Sequence, residues 1–93
     1  VVDMISGPLV SETLKATAIL GRIVNVGRLG GMVAAFDFDT HAARRISYIG
    51  VTFRTRSRDE VREIVRKMRE DLWPHLERGE LSLPLDRSFP FAQ

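Results

Sequence analysis

The stretch Val24-Asn25-Val26-Gly27-Arg28-Leu29-Gly30-Gly31 decides how the rest of the chain is read. An apolar strand runs directly into a glycine-punctuated turn, and no helix follows at once. In open α/β sheets ligands sit at the carboxyl ends of parallel strands, and a glycine there lets a flat ring or a phosphate approach the backbone. Gly30 and Gly31 can equally form a plain tight turn, since turns are the commonest use of glycine. What lies on either side separates the two readings.

Downstream come an extended run from Met32 to Phe38, a helical stretch from His41 to Arg45, and a strand from Ile46 to Phe53 rich in β-branched residues. Upstream, Val1 to Ile5 reads as a strand and Pro8 to Ala18 as a helix. The order strand, helix, strand, helix, strand predicts a parallel sheet with right-handed crossovers.

A long helix follows from Ser57 to Arg78. Ser57 and Glu60 form an S-x-x-E capping box. Val61, Ile64, Val65, Met68, Leu72 and Leu76 recur on one stripe, read as core packing, and Glu63 with Lys67 makes an i, i+4 pair. Pro74 cannot donate to the carbonyl one turn back, so a break is expected near Asp71 to Trp73. Gly79 supplies a left-handed stop. Partial alternation from Leu81 to Phe91 predicts a final strand.

Composition bounds the function. Ninety-three residues make one small domain, 44% hydrophobic and 28% charged. No apolar run approaches the roughly 20 residues that span a bilayer, and no signal-peptide pattern opens the chain. These features point to a cytoplasmic protein without a membrane partner. Without cysteine there is neither a disulfide framework nor a thiolate metal site. The net charge is only +2, and the cluster Arg54, Arg56 and Arg58 lacks interleaved aromatics, so a nucleic-acid partner is not expected.

Other candidates carry little chemistry. His41 and His75 are too isolated for a metal site. Asp37 and Asp39 share a face but lack further oxygen ligands, and Asp39 or Thr40 is expected to cap the following helix. Asp3 reads as a turn cap or local partner, and Tyr48 as structural. No GxSxG elbow occurs.

The ordered landmarks Val1-Val2-Asp3-Met4 before Gly7, Gly21-Arg22-Ile23-Val24 entering VGRLGG, Arg44-Arg45-Ile46 before Gly50, Thr52-Phe53-Arg54-Thr55-Arg56-Ser57 before the long helix, and Pro84-Leu85-Asp86-Arg87 with Phe89-Pro90-Phe91 carry a further signal. Together they resemble the medium-chain dehydrogenase/reductase superfamily, of the zinc-binding dehydrogenase type, in its quinone oxidoreductase-like branch. The resemblance covers nearly the whole chain. It implies the second half of a Rossmann-like, doubly wound parallel sheet, truncated: residues 1–80 as the carboxy-terminal half of the nucleotide-binding domain, and 81–93 returning toward a catalytic domain.

That resemblance further implies an NAD(P)H-dependent quinone oxidoreductase or alcohol dehydrogenase-like parent. In it, the backbone around Val26, Gly27 and Arg28 lies beside the nicotinamide, and that of Val51, Thr52 and Phe53 approaches its carboxamide. Replacing Gly27 by Val is expected to disturb the ring and leave the fold intact. It also implies a missing amino-terminal catalytic and cofactor half, because no GxGxxG phosphate turn is present. No cofactor binding is then expected of the isolated chain, and no metal ligand is assigned. Pairing of the edge strand Ile46 to Phe53 with a second copy implies a homodimer. A competing reading is a small self-associating α/β interaction module that uses that edge without any cofactor.

Overall fold

A computed structural model describes residues 1–92. The elements are β1 (Val2–Asp3), a 3₁₀ turn (Gly7–Leu9), α1 (Val10–Ala16), β2 (Arg22–Asn25), α2 (Phe38–Ala43), β3 (Ser47–Gly50), α3 (Arg58–Asp71) and α4 (Trp73–Glu77). The chain divides into two units, Val1–Arg54 and the remainder from Thr55.

In the first unit the three strands form one parallel sheet in the order β1-β2-β3, each joined to the next through a helix. This is a Rossmann-like α/β arrangement of three strands, as the element order predicts. Ile23 of β2 and Leu14 of α1 are fully buried and, with Ile46, make the core on which Phe36 and Tyr48 pack. Ile23 and Tyr48 are register partners, so this face of the sheet is the helix-covered one. Val2, Val24 and Ile49 align across the opposite face, where Val2 is 71% exposed.

Local chemistry sets the helix ends. Arg44 of the α2 C-terminus donates to the Thr17 carbonyl (2.9 Å) and ties α2 to the end of α1. The α2 cap is Asp37, not Asp39 or Thr40. Its carboxylate accepts from the Thr40 amide (3.0 Å) and hydroxyl (2.7 Å), which starts the helix at Phe38, three residues before His41. The extended run from Met32 stays outside the sheet. Met32 and Val33 stand 86% and 91% exposed, and only Gly31 bridges to another segment, at Ser6. An extended run without a neighbour cannot satisfy its backbone groups in a ladder. For the same reason the regular part of β3 is Ser47–Gly50, although Val51 still donates to the Asn25 carbonyl (3.1 Å).

In the second unit the capping box is present: Ser57 Oγ accepts from the Glu60 amide (3.2 Å), and the Ser57 amide donates to Glu60 Oε2 (2.6 Å). The helix breaks at Leu72, and Pro74 sits in the first turn of α4, where a missing N–H costs nothing. Gly79, at φ +72°, closes α4. Its amide donates to Leu76 O and that of Glu80 to His75 O, the bond pair of a Schellman motif.

Three expectations for this unit are corrected. The stripe Val61–Leu76 is not a buried core. Val61, Ile64 and Met68 are half-buried, and Leu72 and Leu76 are nearly half exposed. A segment of fewer than about 40 residues cannot close a core around a helix. Glu63 gives its hydrogen bonds to Arg66 (2.6 and 2.9 Å), with Lys67 acting on it through charge alone, and Arg66 also reaches Glu70 (2.6 Å), because a guanidinium spans two carboxylates at once. Leu81 to Phe91 forms no strand. Pro84 and Pro90 lack donors, and Leu83, Leu85 and Phe89 are all more than two-thirds exposed. Among the described residues no helix is long and apolar enough to cross a membrane.

Candidate functional site at the strand ends

The sheet register sets Asp3, Asn25 and Gly50 side by side at the carboxyl ends of the three strands. Asp3 is 6% exposed, and its Oδ1 accepts from the amides of Ser6 and Ile5, both at 2.9 Å. Those bonds, the Ser6 amide first, hold its carboxyl below the ordinary aspartate range against the opposing effect of burial. Asp3 is therefore the local turn cap that its position suggests.

Ser6 pays for that turn with a strained backbone, φ 56° and ψ −140°, in a region where non-glycine residues are rare. Its hydroxyl is fixed from two sides, donating to the Gly27 carbonyl (2.8 Å) and accepting from Asn25 Nδ2. With the amide nitrogen of Asn25 so committed, Oδ1 faces Arg28 and accepts from its Nη1 (2.8 Å). Tyr48 completes the cluster, its hydroxyl 3.5 Å from Asp3 Oδ2. Burial and the adjacent carboxylate push the phenol above its usual range.

A concavity of about 210 Å³ opens here, walled by Ser6, Gly7, Asn25, Arg28, Gly31 and Tyr48. It is the hollow on which polar groups from the carboxyl ends of β1 and β2 converge with Tyr48 of β3. A larger hollow of about 560 Å³ follows one exposed flank of α3 between Val61, Val65 and arginine stems, with no groups converging from separate elements. Among the described residues no three His, Asp or Glu side chains group as metal ligands.

Of the two triplets singled out in the sequence, strand pairing sets only the leading residues near one another. The amides of Val26 and Gly27 both donate to the Asp3 carbonyl (2.8 and 3.1 Å), and Val51 continues β3 beside Val26. Thr52 Oγ1 accepts from the Arg54 amide (3.2 Å), and Phe53 is 64% exposed. Of the six, Arg28 alone lines the concavity. Ser6 and Asn25 escape a reading of the sequence, although a polar residue at each strand end was the available signal.

The expectation that Gly27→Val leaves the fold intact is corrected, because Gly27 is crowded within the fold itself. A Cβ there would stand 2.7 Å from the Met4 carbonyl oxygen, so the close approach it allows is to the neighbouring chain segment. Gly27→Val is therefore expected to cost about 1–3 kcal/mol of stability by overpacking. Urea unfolding followed by circular dichroism measures it, and an unchanged midpoint would refute the crowding.

No protein-family model matches the chain, and no curated protein does. Among solved structures, a crystal structure from Sinorhizobium meliloti 1021 of a protein provisionally named an alcohol dehydrogenase is similar, with 29% identity and a TM-score of 0.58. The match covers 74% of this chain and 19% of that one, so the chain spans about a fifth of its neighbour's length. The likeness supports an alcohol dehydrogenase-like fold and relates the chain to an oxidoreductase.

Proposed function

We propose that this chain forms the nicotinamide side of the cofactor site in an NAD(P)H-dependent oxidoreductase of the alcohol dehydrogenase or quinone oxidoreductase type, located in the cytoplasm. The observation that carries the reading is one glycine-walled concavity lined by β2, β3 and the turns that follow β1 and β2, in a chain similar to a protein provisionally named an alcohol dehydrogenase. At about 210 Å³ the hollow is smaller than the roughly 300–1,000 Å³ of complete ligand pockets, so it would form one compartment of a site, with the ring lying beside it against the backbone that follows β2.

Val26, Gly27 and Arg28 would flank the nicotinamide, and Val51, Thr52 and Phe53 its carboxamide. Because the amides of Val26, Gly27 and Val51 already bond neighbouring strands, these residues would act as a rigid wall that orients the ring. The cofactor, when bound, supplies the hydride chemistry. A GxGxxG phosphate turn would have to come from another segment.

Calorimetry tests this reading. The 93-residue chain alone should bind neither NADH nor NADPH at micromolar concentration. The chain joined to an amino-terminal GxGxxG half should bind one of them. Failure of the joined protein to bind either, while folded, would overturn the reading.

The reading includes a homodimer through β3, which an independent observation favours. Ser47 donates to Gly21, just before β2, and Val51 to Asn25 at its end, so by alternation the Tyr48 and Gly50 amides face the open edge of this terminal strand. Gly50 has open space around it, and Gly50→Pro would remove one outward donor. Sedimentation equilibrium is expected to show a dimer for the wild type and at least tenfold weaker association for the variant. A monomeric wild type, or a variant that associates equally well, would mean the edge is not the interface. Dimerisation without cofactor binding by the joined protein would instead favour the interaction module.

A further inference from the structure

Arg28 is a half-buried cation with no anion to meet it. Among the described residues its guanidinium has one side-chain partner, the neutral Asn25 Oδ1 at 2.8 Å, and no carboxylate lies within ion-pair distance. Arg44, the other half-buried arginine, gives its guanidinium to the Thr17 carbonyl (2.9 Å) and ties two helices together, whereas Arg28 lines a concavity. An arginine fork offers five N–H donors, and a partly desolvated one gains most when a planar oxyanion fills it.

The fork is also held in place. Asp3 fixes the Ser6 amide, the strained Ser6 fixes its own hydroxyl between Gly27 O and Asn25 Nδ2, and Asn25 is thereby turned so that Oδ1 grips Nη1 of Arg28. Four residues from two strand ends thus spend hydrogen bonds on the orientation of one cation, which lines the concavity.

We propose that Arg28 anchors a small monocarboxylate in this concavity and that, resting on the function proposed above, this carboxylate belongs to the substrate of the oxidoreductase. A hollow of about 210 Å³ with one unneutralised positive charge suits a singly charged, compact acid. A phosphate dianion would bring more charge than a single arginine balances. The buried carboxylate of Asp3 in the same network opposes any anion, and a dianion about twice as strongly as a monoanion.

The test uses the 93-residue chain without any nicotinamide, so it succeeds or fails independently of cofactor binding. Propionate, its neutral isostere propionamide, and inorganic phosphate are titrated while the Arg28 side-chain N–H and the Gly31 amide are followed by NMR. Propionate is expected to saturate in the millimolar range, with propionamide at least tenfold weaker. Arg28→Gln should reduce propionate affinity at least tenfold. Arg28→Lys, which keeps the charge and loses the fork, should fall between. Arg87→Gln, a remote surface arginine, should match the wild type. Equal response to propionamide, or wild-type affinity in folded Arg28→Gln, would overturn the anion site. Saturation by phosphate at lower concentration than propionate would overturn the choice of a carboxylate.

Discussion

Gly7→Ala is expected to lower the stability of the first unit by about 2–5 kcal/mol, from two separate sources. Gly7 sits at φ +54°, which costs an L-residue roughly 1–2 kcal/mol. An added Cβ would also stand 2.6 Å from the Gly30 carbonyl oxygen, and neither backbone segment can yield easily, an overpacking cost of about 1–3 kcal/mol. Gly79→Ala separates the two. Gly79 has φ +72° but nothing within 4 Å of its virtual Cβ, so that variant should show the conformational cost alone. Urea unfolding of both variants gives the comparison. Equal losses at the two positions would rule out backbone crowding between Gly7 and the Gly30 turn.

Asp3→Ala should be nearly as damaging at neutral pH, at about 2–4 kcal/mol, because it strips the acceptor from the buried Ser6 amide and from the Ile5 amide. The pH dependence has a definite sign. Asp3 has a folded-state pKa below its unfolded value, so the ionised form stabilises the fold above the ordinary aspartate value of about 3.9. That stability is lost as pH falls below about 4 and through the folded-state pKa. Wild-type stability should therefore drop on acidification more steeply than that of Asp3→Ala, the two converging at low pH. Asp3→Asn keeps one acceptor oxygen without the charge and should lie between them at pH 7. Parallel stability curves from pH 7 to 2.5 for wild type and Asp3→Ala would show that the carboxylate does not hold the turn in its charged form.

These variants probe a cluster that sequence reading reaches only in part. Asp3 is recognisable as a local cap, and the run ending in Gly27-Arg28 as a strand end where a ligand could approach. The link from Ser6 to Asn25 and Gly27 spans about twenty residues of sequence and exists only because β1 and β2 pair in one register. The same register explains why Gly27 is crowded by Met4, which no local pattern reveals.

What the sequence determined by itself is what short-range chemistry controls. The Ser57–Glu60 capping box, the helix break imposed by Pro74 and the left-handed stop at Gly79 each depend on a donor, an acceptor or a φ angle within a few residues. The parallel α/β class followed from the alternation of periodicities across the first half of the chain. Tertiary structure decided the rest. Leu81 to Phe91 has strand-like alternation but no neighbouring strand to take its hydrogen bonds, so it does not become one. The α3 stripe has core-like spacing, yet burial depends on what packs against it, and spacing along one helix carries no information about a partner surface. The orientation of Arg28 likewise depends on Ser6 and Asn25 meeting across the sheet, a consequence of strand pairing that residue order alone does not contain.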